Sequence, residues 1–158
     1  ESALSYPEDT VGALMDYDVI TIRENVSLEV VLSYLRKLEK LPSSTDKLFV
    51  VDGDASILGV LPLKVIVVNS PKIKVQDVMS SDTVLFSPDD SAEEASDAFE
   101  RYDLVTAPVV DANKKLIGRL SVDAVVDFIK EDAENEKFSM AGLKEEEDLF
   151  SSICQSSV

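Results

Sequence analysis

The chain has 158 residues, of which 45% are hydrophobic and 29% are charged, and its formal net charge at pH 7 is −16. This length suits one domain, or two small ones that share a core, and the hydrophobic fraction excludes disorder for the body of the chain. So acidic a chain is unsuited to nucleic acid or anionic lipid, since binding either requires patches of Lys and Arg.

The negative charge is concentrated in the second half of the chain. Residues 1–76 contain 11 acids and 8 bases, a net charge of −3, whereas residues 77–158 contain 20 acids and 7 bases, a net charge of −13. A concentrated negative field attracts cations. The partner that this composition predicts is therefore a cation.

Residue types needed for catalysis and for membrane insertion are scarce. The chain has no His, one Cys and five Gly, with no P-loop or dinucleotide fingerprint, and we predict that it is not an enzyme. The longest apolar run, Ile57–Val68, is interrupted by Pro62 and Lys64 and falls short of the roughly 20 residues that span a bilayer. The lone Cys154 fits a reducing compartment. No signal peptide is visible, and a first residue Glu1 indicates an excised piece.

In chain order, residues 1–15 form a leading segment with a short helix predicted at Glu8–Met15. An extended run at Val19–Ile22 precedes a helix opened by Ser27. A loop at Leu41–Lys47 then leads to further elements. These are two strands (Leu48–Val51 and Ile57–Leu61), a short helical or irregular segment (Pro62–Val68) and a linker (Asn69–Lys74).

The second half repeats the first. Ser91 and Glu94 form a capping box that predicts a helix over Ala92–Tyr102, and strands follow at Ala107–Val110 and Leu116–Leu120. Matching residues are offset by 64 positions before this helix and by 59 after it, so the first copy has five extra residues in its loop. Examples are Met15 with Met79, Ile20 with Val84, Ser27 with Ser91, and Gly59 with Gly118. The sequence thus predicts a duplicated β-α-β-β-α unit with an approximate two-fold axis.

An acidic helix follows the last strand. Val122, Val125, Val126, Ile129 and Ala133 fall at helical spacing and form one apolar face. The remaining surface carries six carboxylates against the single Lys130. Like-charge pairs four residues apart, such as Asp127 with Glu131, each cost about 0.2–0.5 kcal/mol on an isolated helix.

The duplicated unit resembles a tandem pair of CBS domains (a Bateman module), an α/β fold. The resemblance rests on Ala107–Asp111, on Leu116–Ser121 and on their first-copy counterparts. The chain is more closely similar to the cytosolic CBS region of MgtE-type magnesium transporters, through Tyr6–Met15 (YPEDTVGALM), Arg101–Leu104 and Val122–Asp127. On this basis the chain divides into a leading segment (1–15), a first repeat (16–74), a second repeat (75–136) and a connecting segment (137–158) toward a membrane domain.

The MgtE resemblance implies magnesium sensing on the cytoplasmic face of the membrane. The metal-gathering acids of the family carry over to Glu93, Asp103, Asp127, Asp132 and Glu136. Ala124 stands where the family usually has a second Asp, so one Mg²⁺ site is expected to be weakened or absent. The resemblance also implies a homodimer attached to a transmembrane pore domain.

Two other functions compete with magnesium sensing. CBS pairs often bind the ribose of ATP or AMP through an S/T-x-x-D step, but Pro62–Val65 lacks both groups and Ser121–Ala124 keeps only the hydroxyl. Ser121 is therefore a weak nucleotide-binding candidate, and ATP and AMP are disfavoured. The other alternative is a dimerisation scaffold that binds no ligand.

Overall fold

The structure is a computed structural model that describes residues 5–135. Residues 5–125 belong to one compact unit, and residues 126–135 belong to a second unit. Helix α1 (Val11–Leu14) lies in the leading segment, and the first repeat consists of strand β1 (Thr21–Arg23), helix α2 (Leu28–Lys37), strands β2 (Lys47–Val51) and β3 (Ile57–Pro62), and helix α3 (Leu63–Val68). The second repeat consists of α4 (Val75–Val78), α5 (Ala92–Tyr102), β4 (Thr106–Val110) and β5 (Leu116–Ser121), followed by a helix, α6, described over residues 122–135.

The two repeats have the same sheet topology. Strands β1, β2 and β3 form one sheet, in which β1 is parallel to β2 and β3 is antiparallel to β2. Strands β4 and β5 form an antiparallel pair, and Phe86 adds a parallel bridge to Val109, as Ile22 pairs with Val50 in the first repeat. The mixed α/β fold with two tandem β-α-β-β-α units is therefore confirmed.

Most predicted elements agree with the structure, but β1 begins two residues later than the extended run predicted at Val19–Ile22, helix α4 was not predicted, and the first helix is shorter than predicted. Helix α5 has the predicted bounds, and the Ser91 hydroxyl accepts a hydrogen bond from the Glu94 amide at 3.3 Å. Helix α1 is shorter than the predicted Glu8–Met15, because Thr10 has an extended backbone at its N-cap and Met15 leaves it in an extended conformation. The next residue, Asp16, pairs its backbone with Arg119 on β5.

The two hydrophobic cores exchange their leading helices. Val11 and Met15 from the start of the chain pack into the core of the second repeat, with Phe86, Ala95, Phe99, Ala107, Val109, Leu120 and Val125. Val75 packs into the core of the first repeat, with Ile20, Ile22, Leu28, Val31, Leu48, Val50, Leu61 and Ile66. Each repeat thus buries a helix that precedes the other in the sequence, and this exchange ties the two halves together.

Backbone hydrogen bonds across the two repeats follow the same approximate two-fold axis. Val60 and Ser80 exchange two of them at 2.9 and 2.8 Å, and Arg119 and Asp16 make the equivalent pair at 2.8 and 2.9 Å. The β-turns also match, since Asp52 and Asp111 each accept two amide hydrogen bonds within their own turn. The residues that match between the two halves of the sequence therefore make equivalent hydrogen bonds in the two repeats.

Helix α6 begins immediately after β5. The Ser121 hydroxyl accepts a hydrogen bond from the Ala124 amide at 3.3 Å, and Ser121 is only 4% exposed. In the first turn Val125 is buried and Val122 is partly buried against the second core. Val126 and Ile129, further along α6, are 40% and 49% exposed. Within residues 5–135, no helix is long and apolar enough to cross a membrane.

Candidate functional site

A cavity of about 420 Å³ lies between the two repeats, and we call it the β4 cleft. Its walls combine two strand residues of the first repeat with the extended segment, the end of α5 and the first strand of the second repeat. The lining residues are Lys47, Val60, Asp82, Thr83, Val84, Tyr102, Leu104, Thr106, Ala107 and Pro108. This volume is in the range of sites that bind small organic molecules.

The polar wall of the β4 cleft is built around Lys47. Its ammonium group donates a hydrogen bond to the Thr106 carbonyl oxygen at 2.6 Å and lies 3.4 Å from a carboxylate oxygen of Asp46. The Thr106 hydroxyl donates to the other carboxylate oxygen of Asp46 at 2.7 Å. The Lys47 side chain is only 14% exposed. These contacts fix one cationic group at the cleft wall.

Two further groups give the β4 cleft its chemical character. The Thr83 hydroxyl oxygen is buried and has no hydrogen-bond partner within residues 5–135. Tyr102, at the end of α5, is 55% exposed and offers an aromatic surface at the cleft. A cation, an aromatic ring and an unsatisfied hydroxyl make the cleft suited to a polar organic ligand rather than to a bare metal ion.

The sequence had not singled out the β4 cleft. Tyr102 appeared there only as part of a family motif, and Lys47 only as the end of a loop. The internal repeat is the sequence feature that could have pointed to this cleft, because Lys47 and Thr106 occupy equivalent positions 59 residues apart. The nucleotide candidate Ser121 is the cap of α6, and it pairs with Thr106 across the β4–β5 ladder.

The predicted metal ligands are exposed wherever the structure describes them. Glu93 lies in the first turn of α5, and Asp103 ends that helix in a left-handed conformation with φ of 52°. Ten residues of helix separate the two by about 15 Å, too far to share one ion. Asp127 and Asp132 are exposed on α6, about 140° apart around its axis. Glu136 lies outside the described residues.

No complete metal cage is present within residues 5–135, where no group of three or more Asp, Glu, His or Cys side chains is arranged to hold a metal ion. The five predicted ligands therefore stay predictions. Mg²⁺ does not require a closed cage, since it retains several waters and often uses only one or two protein carboxylates. Exposed, isolated carboxylates are compatible with such an ion if a neighbouring surface supplies further oxygens.

The profile of the CBS domain family matches residues 11–69 and 75–131, which overlap the predicted repeats at 16–74 and 75–136. The chain therefore belongs to the CBS domain family and contains a tandem CBS pair. Within this family it is similar to magnesium transporters named MgtE, with 32% identity over 84% of the chain for the protein of Thermus thermophilus. For that of Bacillus subtilis the identity is 28% over 88% of the chain.

The structural comparison agrees with the sequence comparison. The crystal structure of the cytosolic domain of the Mg²⁺ channel MgtE in complex with ATP matches 78% of this chain and 50% of that chain, with a TM-score of 0.74 and 32% identity. The chain spans about a third of the length of the curated relatives, 30% for the Thermus protein and 31% for the Bacillus protein. The predicted CBS fold and the similarity to the MgtE cytosolic region are both confirmed.

Proposed function

We propose that this CBS pair is the magnesium-sensing regulatory part of an MgtE-type magnesium transporter, without catalytic activity of its own. The observation that carries the proposal is the similarity to MgtE over 84% of the chain, covering both repeats. The position of the charge supports it, since residues 77–158 hold 20 of the 31 acids.

The physical basis is electrostatic. Carboxylates crowded on exposed faces raise the free energy of any compact state that brings two such faces together. A divalent cation between the faces replaces that repulsion by attraction, and it retains part of its water shell. A ligand shifts a conformational equilibrium only through its different affinity for the two states. Mg²⁺ therefore favours the compact state.

In this account the sensor is a homodimer on the cytoplasmic face of the membrane, connected through its C-terminal segment to a pore domain of the same chain. When cytosolic Mg²⁺ rises, ions bridge the predicted acids and carboxylates of a neighbouring domain or subunit: Glu93, Asp103, Asp127, Asp132 and Glu136. The compact state then acts on the pore domain and closes it. The result is feedback inhibition of magnesium uptake.

The test is a thermal melt and a scattering radius measured with increasing Mg²⁺, against NaCl at equal ionic strength. One site filled at ten times its Kd stabilises the folded state by about 1.4 kcal/mol, which raises Tm by roughly 3–6 °C for a chain of this size. The radius should fall in parallel. An unchanged Tm and an unchanged radius would contradict magnesium sensing.

A matched pair of double variants locates the effect. Asp127→Asn with Asp132→Asn removes two predicted ligands and should abolish most of the Mg²⁺-dependent rise in Tm. Asp89→Asn with Asp97→Asn removes the same charge from exposed positions outside the predicted set and should leave the rise intact. Equal responses of the two variants would show that charge alone, and not these ligands, determines the effect.

Adenine nucleotide sensing is the second candidate. It is favoured by the size of the β4 cleft, by the Lys47 ammonium and the Tyr102 ring that line it, and by the ATP bound to the similar MgtE domain. It is disfavoured by the net charge and by the missing carboxylate after Ser121. Calorimetry with ATP and AMP, with and without Mg²⁺, separates the two functions. Micromolar nucleotide affinity independent of the metal would favour nucleotide sensing.

A further inference from the structure

The approximate two-fold axis requires a counterpart for the β4 cleft on the opposite side of residues 5–125. The backbone supports are equivalent, since Val122 donates to the Val105 carbonyl oxygen at 2.8 Å and Leu63 donates to that of Asp46 at 3.0 Å. Thr83 of the β4 cleft corresponds to Val19, which lies 64 positions earlier in the chain. Val60 corresponds to Arg119, which lies 59 positions later. We call the position defined by Val19, Leu48, Phe49 and Arg119 the counterpart cleft.

Larger side chains line the counterpart cleft. Arg119 takes the place of Val60, Phe49 that of Pro108, and Leu48 that of Ala107. All three are almost completely buried, with exposed fractions of 5%, 2% and 0%. At these three positions the counterpart cleft has the larger side chain and the β4 cleft the smaller one, although Leu48 and Ala107 also belong to the two hydrophobic cores.

The buried Arg119 side chain joins the first-repeat loop to the second repeat. Its Nε donates a hydrogen bond to a carboxylate oxygen of Asp16 at 2.9 Å, and its Nη2 donates to the carbonyl oxygen of Ser43 at 2.8 Å. A buried guanidinium group requires such partners, because desolvation without them costs several kcal/mol. The Ser43 carbonyl is therefore part of what keeps Arg119 in place.

Two more contacts connect the same loop to the second repeat. The Ser44 hydroxyl donates to a carboxylate oxygen of Asp123, in the first turn of α6. Asp46 accepts the hydrogen bond from the Thr106 hydroxyl. Three positions of one loop thus contact three elements of the other repeat. This is the loop in which the first repeat has five more residues than the second.

We propose that residues 42–45 are a built-in occupant of the counterpart cleft, held there by Arg119, so that each chain offers one ligand cleft instead of two. In the second repeat the shorter connection, Asp103–Val105, leaves the β4 cleft open. The loop supplies the Ser43 carbonyl to Arg119 and the Ser44 hydroxyl to Asp123, whereas the Asp46 carboxylate that follows belongs to the wall of the β4 cleft. The two repeats are therefore asymmetric: the β4 cleft is open to a ligand, whereas the counterpart cleft is filled by the loop, which we call the plug.

The test compares the accessibility of the two clefts by thiol labelling and needs neither Mg²⁺ nor nucleotide, so its result is independent of the magnesium proposal. In a Cys154→Ser background, Tyr102→Cys reports on the β4 cleft, where the side chain is 55% exposed, and Val19→Cys reports on the counterpart cleft. With a bulky maleimide, the thiol at position 19 should react about tenfold more slowly, since the reagent must wait for a local opening of the loop. Equal rates at the two positions would overturn the proposal.

Two further variants then release the loop. Removal of residues 41–45 matches the length of the second repeat, and Arg119→Met keeps the apolar stem but removes the contacts with Asp16 and Ser43. Either should raise the labelling rate at position 19 toward that at position 102, whereas Arg101→Met on the exposed surface of α5 should not change it. Circular dichroism and denaturant unfolding verify the fold. An unaltered rate at position 19 in a folded Arg119→Met protein would also refute the plug.

Discussion

Gly59 allows the two repeats to meet, and replacing it with Ala is the sharpest test of the exchanged packing. A Cβ at this position would lie 2.3 Å from the Ser80 carbonyl oxygen, closer than real Cβ atoms approach other atoms. That same oxygen accepts the hydrogen bond from the Val60 amide at 2.9 Å, and the Ser80 amide donates back at 2.8 Å. The obstructing atom belongs to the backbone, so relief requires the pairing of the two segments to open.

The cost of Gly59→Ala follows from these contacts. Two backbone hydrogen bonds contribute about 0.5–1.5 kcal/mol each, and overpacking adds about 1–3 kcal/mol, so the free energy of unfolding should fall by about 2–6 kcal/mol. Denaturant unfolding at 25 °C, read as the shift in midpoint at constant m, measures it. Gly118→Ala, whose Cβ would lie 2.9 Å from the Asp16 carbonyl oxygen, should act in the same direction.

Gly53 is the matched control for Gly59. A Cβ there would meet only the Arg23 guanidinium group, at 3.6 Å, and no described glycine has a positive φ. Gly53→Ala should therefore be neutral, or stabilise by about 0.4–1 kcal/mol through the lower entropy of the unfolded chain. If Gly59→Ala were as stable as Gly53→Ala, the close approach of the two repeats described above would be wrong.

Two further predictions concern single side chains. Ser91→Ala should destabilise the protein by about 1 kcal/mol in denaturant unfolding, because it removes the cap of α5. Ser27→Ala is the control, since the Ser27 side chain makes no capping hydrogen bond at the start of α2, and it should cost less. Equal losses of stability in the two variants would contradict the capping role of Ser91. The amides of Ser56 and Asp54 lower the pKa of Asp52 below its usual 3.8, so this carboxylate stabilises the fold above its unfolded pKa and loses that effect as the pH falls through its folded pKa. The stability deficit of Asp52→Asn against the parent should therefore be larger at pH 6 than at a pH below the folded pKa of Asp52, and a deficit independent of pH would contradict the turn hydrogen bonds as its cause.

The elements that sequence analysis predicted well are those specified by local signals. Helix α5 was placed to the residue because Ser91, Glu94 and an apolar stripe act within one or two turns. Strands β2 to β5 were placed within one residue by short β-branched runs between turns, whereas β1 begins two residues later than predicted. The duplication was visible because matched residues such as Gly59 and Gly118 perform the same packing task in both repeats.

The features that sequence analysis missed depend on contacts between distant segments. Nothing local in Val11 or Val75 shows that each packs into the core of the other repeat. Arg119 reads as a surface residue in the sequence, yet it is buried because Asp16 and Ser43, far away in the chain, supply its partners. The β4 cleft is lined by residues of both repeats, from Lys47 to Pro108, and no local pattern in the sequence brings them together.

The predicted metal ligands illustrate a second limit. Their assignment came from resemblance, and the described residues place Glu93, Asp103, Asp127 and Asp132 on exposed surfaces without closing a site around an ion. A site shared with a second domain or subunit is completed by residues that one chain's local sequence cannot reveal. Charge density predicts the kind of ligand, whereas the geometry of coordination needs the neighbouring surface.

The most direct test of the central claim is anomalous diffraction from crystals of the chain soaked in Mn²⁺, which takes oxygen ligands as Mg²⁺ does and scatters strongly enough to be located. The account predicts anomalous peaks within coordination distance of the Asp127 and Asp132 carboxylates. These peaks should disappear in the double Asn variant and persist in the Asp89→Asn, Asp97→Asn control. Well-ordered carboxylates on α6 with no peak beside them would contradict the claim that these acids bind a divalent cation.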